Sequence, residues 1–442
     1  MNPSAVLSII LAASIAPLLD AQPFSAGEND PENSFDAPIP GFVGPHGEGL
    51  ARLESPSQPG TFINPNNYIN PIFFGWAFEV VDYSPSPGVN PYFAQFEDDV
   101  LGPTTGEVGW VLSLGDLPSP TTDPEPGQSP PQPGTLTIRF KRPIADLDGA
   151  DFVVFENAFQ VQGSAPHATL AELAYVEVSS DGQNFFRFPS VSLTPTPIGP
   201  YSPIDPRDVY NLAGKHHNGY GKSWGTPFDL SDLPSSPLLN PSAITHLRLV
   251  DVPGYGGFLD SLGNPIYDPH LTFGSGGADI EAIGAISVPI TFDQWPLLQT
   301  LPPEQRSPEF DPHYNNLTNL AAYAFARLPN QPYQVPVSRL LIVPESETGE
   351  TYPAIQFNRD QRLSDLTITV EWTTDFQTWH SIARSVGGAD LIPLSPHQPL
   401  IEEVSASPIR SIGVLRSTTV HSGVPLSVEP IQFFRIDLKL IN

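Results

Sequence analysis

The chain has 442 residues, with 48 acidic and 19 basic side chains, for a net charge of −29 with histidine neutral. That balance excludes partners held through phosphate contacts, such as nucleic acid or an anionic membrane surface, while a 39% hydrophobic content and only 15% charged residues exclude an acidic disordered tail. Fifty-four prolines exclude an architecture of long helices, because each interior proline costs about 3 kcal/mol. The lack of cysteine excludes disulfides, thiolate nucleophiles and thiolate metal sites.

The apolar run Ala5–Leu19 is too short to span a bilayer, which needs about 20 residues, and reads as part of a signal peptide over 1–21 with Ala21 before the cut. Residues 22–59, rich in Pro, Gly and Asn, read as an irregular leader. The predicted large β-domain occupies 60–292. Its first segments are Ile72–Val81 and Val108–Leu114, followed by a proline-rich surface loop over 118–134. In Thr135–Phe140, Leu136, Ile138 and Phe140 alternate with polar residues, the period of a half-buried strand. Phe152–Phe155 is apolar on both faces and predicts a central strand. Leu173–Ser179 and Phe185–Phe188 flank Asp181-Gly182, a hairpin signal. His246–Val252 and Ile280–Val288 complete at least seven short strands, predicting a jelly-roll-like β-sandwich. Over 293–334 the spacing of Leu317, Leu320, Ala321, Ala324 and Leu328 predicts a helix at 317–328, capped by Asn315 or Asn316. Residues 335–442 read as a smaller β-sandwich module, with alternation in Leu366–Trp372 and Phe433–Leu440. A module of that size has a marginal core, so packing on the helix or the first domain is expected.

Carboxylates dominate the chemistry on offer. Asp148, Asp151 and Glu156, with Asp146, bracket one strand entrance, and Asp260, Asp268, Asp279 and Glu281, with Asp251, surround a glycine-rich segment. Asp279 and Glu281 stand at i and i+2, on one face of a strand and about 6.6 Å apart along it. Calcium suits such oxygen-rich loops; hydrogen-bonded or solvated acids are the plain alternative, and a catalytic pair a third. Arg248 is expected to bridge a core-facing carboxylate. The segment Gly214–Gly221 lacks phosphate-loop spacing and reads as an ordered loop. Alternatively, Tyr210, His216, His217, Tyr220 and Trp224 form a surface site offering rings and polar edges to a sugar. No Gly-x-Ser-x-Gly elbow or His-Glu-x-x-His is present.

The run Asp151-Phe152-Val153-Val154-Phe155-Glu156-Asn157-Ala158-Phe159 resembles the DFAVFENGF-type signature of a family of exported bacterial cell-surface proteins, with Ala158 where the signature has Gly. Ala171–Gly182, Asp208–Lys215, Asp260–Pro269 and Gly276–Ile280 extend that likeness over roughly residues 60–290. The family occurs in Verrucomicrobia-like and Planctomycetes-like bacteria, often with a PEP-CTERM-type sorting segment. Asp311–Ala324, Asp365–Trp379 and Phe433–Ile436 resemble a module common at the ends of such proteins, in which an Asp-rich calcium segment runs into a helix and a β-module. Here only Asp311, Asn315 and Asn316 remain of the acidic repeat, and a sorting anchor is not expected. The resemblance implies a location and a sandwich fold rather than a reaction. The combined expectation is a secreted or surface-held, non-catalytic protein, calcium-stabilised and binding glycan, matrix or envelope components. A polysaccharide hydrolase using a loop carboxylate pair and a purely structural envelope component are the alternatives.

Overall fold

A computed structural model describes residues 25, 36–44, 49–51 and 66–441, apart from 88, 119–130, 162–164, 166, 275, 297, 326–336, 346–348, 395–398, 408 and 410. The expected signal peptide and most of the irregular leader and proline-rich loop lie outside the described residues.

The protein is mainly β. The large sheet is built from β1 (Gly75–Ser84), β2 (Thr135–Ile144), β3 (Phe152–Glu156), β4 (Ala174–Ser179), β5 (Trp224–Phe228), β6 (Ile244–Asp251) and β7 (Asp279–Ala285). Its order is β5-β3-β7-β1-β2-β6-β4, with Ile39–Pro40 added beside β5 and Phe186–Arg187 beside β4. All of its pairings are antiparallel. The register of β1 on β2 shifts twice, between Ala77 and Glu79 and between Val80 and Asp82. Bulges of this kind bend a strand and raise its twist, and here the sheet curls around β1. Phe152, Val154, Ile280 and Ile283 from one half thereby meet Ile138, Val176, Leu247 and Leu249 from the other in a single apolar core. Every residue of β3 is buried, as a strand apolar on both faces requires. Phe152 and Val154 enter the main core, whereas Val153 and Phe155 join Ile39, Phe73 and Ala282 in a second one.

The hairpin expected at Asp181-Gly182 joins β4 to Phe186–Arg187, with Val178 opposite Phe186. Gly182 takes φ 74°, and Asp181 Oδ1 accepts the amides of Gln183 and Asn184 at 2.8 Å each. Of Val108–Leu114 only Leu112–Ser113 is strand, beside β7.

The helix is shorter than its apolar period suggested. Over the described residues α1 spans Asn319–Ala324, and its cap is Thr318, whose hydroxyl accepts the Ala321 amide at 3.2 Å. Asn315 caps the Leu317 amide just upstream instead. Residues 326–328 lie outside the described part.

The carboxy-terminal module stacks two four-stranded sheets. One comprises β8 (Ser338–Pro344), β9 (Thr351–Asp360), β12 (Ile401–Ser405) and β13 (Leu415–His421). The other holds β10 (Leu366–Thr373), β11 (His380–Val386) and β14 (Phe433–Leu440), with Ile392–Pro393 at its edge. Its apolar residues Phe357, Ile368 and Trp372 run continuously into the main core through Tyr323, Phe292 and Trp295. Backbone bridges join Gly149 to Ile412 and Ile290 to Leu363. The Tyr323 hydroxyl donates to Asp365 Oδ1 at 2.8 Å, while Asp365 Oδ2 accepts the Phe292 amide at 2.8 Å. The module thus packs on both the helix and the large sheet, which relieves the shortage of core in so small a unit.

Candidate functional site

The glycine-rich segment before β7 threads through a layer of buried acids. Three consecutive amides each donate to a different carboxylate: Gly277 to Glu172 Oε1 at 3.0 Å, Ala278 to Asp251 Oδ1 at 2.9 Å and Asp279 to Glu156 Oε1 at 3.1 Å. Upstream, Asp116 Oδ2 accepts the Thr272 amide at 2.9 Å and Asp116 Oδ1 lies 3.2 Å from His270 Nδ1. Asp268 Oδ2 accepts the Leu173 amide at 2.8 Å. Gly277 has to be glycine: its φ is 74°, and a Cβ would stand 2.6 Å from the Gly115 carbonyl carbon.

None of Glu156, Glu172, Asp251 and Asp268 has an ion-pair partner among the described residues. Burial pushes all four well above the usual carboxylate range; the charge of Asp279 adds to this for Glu156 and Glu172, and the charge of Asp116 for Asp251 and Asp268. Glu156 Oε2 and Asp251 Oδ2 have no hydrogen-bond partner among the described residues. A buried carboxylate without a cation is strongly disfavoured, and it responds by keeping its proton. The amide bonds accepted by Glu172, Asp251 and Glu156 are those of the hydrogen-bonded acids weighed beside calcium above.

The expected pairing of Asp279 with Glu281 fails on a bulge. The register of β7 against β3 shifts between Ile280 and Ala282, and these two side chains enter different apolar cores. Glu281 turns away from the acid layer into a set of neutral donors. Its Oε1 accepts the Gly106 amide at 2.7 Å and the Thr105 amide at 2.5 Å, and its Oε2 accepts Thr104 Oγ1 at 2.6 Å and Asn218 Nδ2 at 2.5 Å. Both of its oxygens thus accept from neutral donors. Asp260 is likewise satisfied: it accepts the Ser192, Leu262 and Asn264 amides at 3.0, 2.9 and 2.8 Å. Asp148 points to the carboxy-terminal module, 3.3 Å from Arg416 Nη1 and 2.9 Å from Gln361 Nε2. Arg248 bridges Glu177 on the neighbouring strand, at 2.5 Å, rather than Asp251 beside it in sequence.

Asp151 is the expected ligand that the structure places in a compact acid group. Among the described residues, Asp146, Asp151 and Asp229 are the one set of three ligating side chains whose oxygens all lie within 4.8 Å of one another. Asp151, fully buried, accepts the Leu147 amide at 3.0 Å and the Leu230 amide at 2.8 Å. Each carboxylate oxygen carries a second lone pair that a cation can use. Burial, with the charges of Asp232 and Asp146, pushes Asp229 up to about 6. Sequence reasoning missed Asp229, Glu172 and Asp116, which stand far along the chain from the acids they meet.

Of the expected aromatic surface, the two histidines are buried, whereas Tyr210, Tyr220 and Trp224 are half-buried. His216 and His217 are 3% and 6% exposed, and His217 Nε2 lies 2.8 Å from Thr169 Oγ1. Burial, followed by the charge of Lys215, brings His216 down to about 3, so its ring is neutral. Tyr210 donates to Asp232 Oδ2 at 2.9 Å, Tyr220 packs edge-on against Phe159, and Trp224 starts β5 opposite Pro40. Beside the histidines, the fully buried Lys215 ammonium donates to Ser25 Oγ, Asp36 Oδ2 and the Val209 carbonyl and anchors the segment inside.

Comparison of the chain with protein-family models, curated proteins and solved structures finds no match to any of them.

Proposed function

We propose that this chain is an exported, non-catalytic binding protein of the cell surface or its surroundings, with calcium ordering one end of its large sheet and glycan or matrix polymer as ligand. One observation carries the non-catalytic part. The acids a hydrolase would use, Asp268 and Asp279, are each 2% exposed, and a glycosidase pair has to flank a polymer from an open cleft. Export rests on the apolar leader and on the resemblance to surface proteins; no candidate membrane span occurs among the described helices.

Calcium fits Asp146, Asp151 and Asp229, a hard-oxygen set at the mouth of β3 with one exposed, one buried and one intermediate member. An ion that binds only the folded chain stabilises it by RT ln(1 + [L]/Kd), about 2.7 kcal/mol at a hundredfold excess over Kd. Calorimetry of the full chain in EDTA and in millimolar calcium tests this, beside a screen for new reducing ends on polysaccharides. The expected result is a higher midpoint with calcium, a response lost in Asp229→Asn, and no hydrolysis. An unchanged midpoint removes the ion, and hydrolysis that vanishes in Asp279→Asn while the fold survives restores the enzyme reading.

A further inference from the structure

Where β1, β2 and the end of β7 meet, the outer surface carries a cleft of about 390 Å³, within the range of small-molecule sites, roughly 300–1,000 Å³. Ala77, Phe140, Ala285 and Val288, all buried, line its inner part. Phe78 lines it as well, with its ring 51% exposed on the bulged part of β1. Phenylalanine at half exposure is costly to leave in water, and a bulge is a common device for re-aiming a side chain at a site. The charged residues lining the cleft are Lys141 and Arg142, and no acid lines it.

That sign is the informative feature. The chain has 48 acidic residues against 19 basic ones, yet neither Lys141 nor Arg142 has a carboxylate partner among the described residues. Lys141 Nζ stands 5.6 Å from the centre of the Phe78 ring. Arg142 is held by one hydrogen bond, from Nη2 to the Phe74 carbonyl at 2.8 Å, which leaves its other donors for a ligand. Partial burial lowers the guanidinium below its usual value, with no opposing carboxylate.

We propose that this cleft binds an acidic sugar unit, a uronate of an anionic polysaccharide, with its ring face on Phe78 and its carboxylate on Lys141 and Arg142. This rests on the glycan-binding reading above and names its ligand class and place. An arginine fork matches a carboxylate bidentately, and an apolar ring beside convergent cations suits a sugar that is apolar on one face and charged at one substituent. A neutral glycan leaves the cations unused, and a bare inorganic anion leaves the ring unused.

Isothermal titration of the full chain with a tetrameric oligogalacturonate, its methyl-esterified neutral counterpart and inorganic sulfate tests the proposal in EDTA, so that calcium-bridged binding does not contribute. The expected result is salt-dependent binding of the acid oligomer at least tenfold tighter than of either control, with a tenfold or greater loss in Lys141→Glu and in Phe78→Ser. Both positions are exposed, and an unchanged melting midpoint certifies the fold. Equal affinity for acid and ester, or binding unaffected by both substitutions, overturns the cleft while leaving a glycan role elsewhere standing. Sulfate binding as tight as the uronate's overturns the sugar assignment. No binding of any oligomer, with none on a wider glycan panel, overturns the cleft and the glycan reading together.

Discussion

Arg362 offers the sharpest test of how the two β-units are joined. Its guanidinium, 3% exposed, forks onto Asp360, 5% exposed, with Nε–Oδ1 at 2.9 Å and Nη2–Oδ2 at 2.7 Å. Nη1 donates across the boundary to the Ile72 carbonyl at 2.6 Å, and the guanidinium carbon lies 3.5 Å from the centre of the Phe74 ring. Arg362→Met fills most of the volume but leaves the Asp360 charge buried, which costs about 3–5 kcal/mol. The unmet Ile72 carbonyl adds about 1–3 kcal/mol. Together these come to about 4–8 kcal/mol; with an unfolding entropy of about 2.1 cal/mol/K per residue, or about 0.9 kcal/mol/K for the chain, the midpoint falls by about 4–9 °C. Calorimetry reads this directly. Adding Asp360→Asn removes the stranded charge, so the double variant melts above the single one. A single variant within about 1 °C of the parent, or a double variant no better than the single, refutes the claim that this pair holds the units together.

Two further outcomes follow from the acids. In EDTA, stability falls as pH rises from about 4 toward 6 and beyond: groups raised in the folded state, such as Asp229 at about 6 and the buried Glu156 and Asp251, bind more protons folded than unfolded, so the slope of unfolding free energy against pH is negative. Melting midpoints between pH 4.5 and 7.5 check this, and the calcium response grows over the same window as the competing protons leave. Glu281→Gln replaces one accepting oxygen by an NH2 donor in a pocket of donors that includes Thr104 Oγ1 and Asn218 Nδ2, costing about 1–3 kcal/mol, yet leaves the calcium response intact; a lost response returns Glu281 to the ligands.

Strand positions were legible where the pattern was local. The alternation in Phe433–Leu440 reproduces β14 residue for residue, and the unbroken apolar run at Phe152 marks a strand buried on both faces. The site was less legible because it depends on where alternation breaks. A bulge at Glu281 leaves no mark in composition, and it sends Asp279 and Glu281 to different surroundings. Asp229 carries a local signal, Asp-Leu-Ser-Asp, but that signal describes a turn cap, in which its Oδ1 accepts the Ser231 amide at 2.9 Å. Its place beside Asp151 comes from the pairing of β5 with β3. Likewise nothing local says that Lys215 will be buried on Asp36, the contact that anchors the segment of His216 and His217 inside.

The acid layer also explains how so anionic a chain can fold around its own carboxyl groups. The stretch Gly277–Asp279 needs acceptors at a point where its amides bond side chains rather than a neighbouring strand, and buried amides are rarely left unmet. Carboxyl oxygens are strong acceptors, and with few basic residues to pair their charge, protonation is the cheapest way to bring them inside. Burial raises Glu156, Glu172, Asp251 and Asp268 well above the usual carboxylate range, so the acid layer favours its uncharged form and lightens the formal charge of −29. The charge that remains still repels phosphate polymers. Against that background a cleft lined by Lys141 and Arg142 is a local reversal of sign, and only a ligand bringing its own negative charge gains from it.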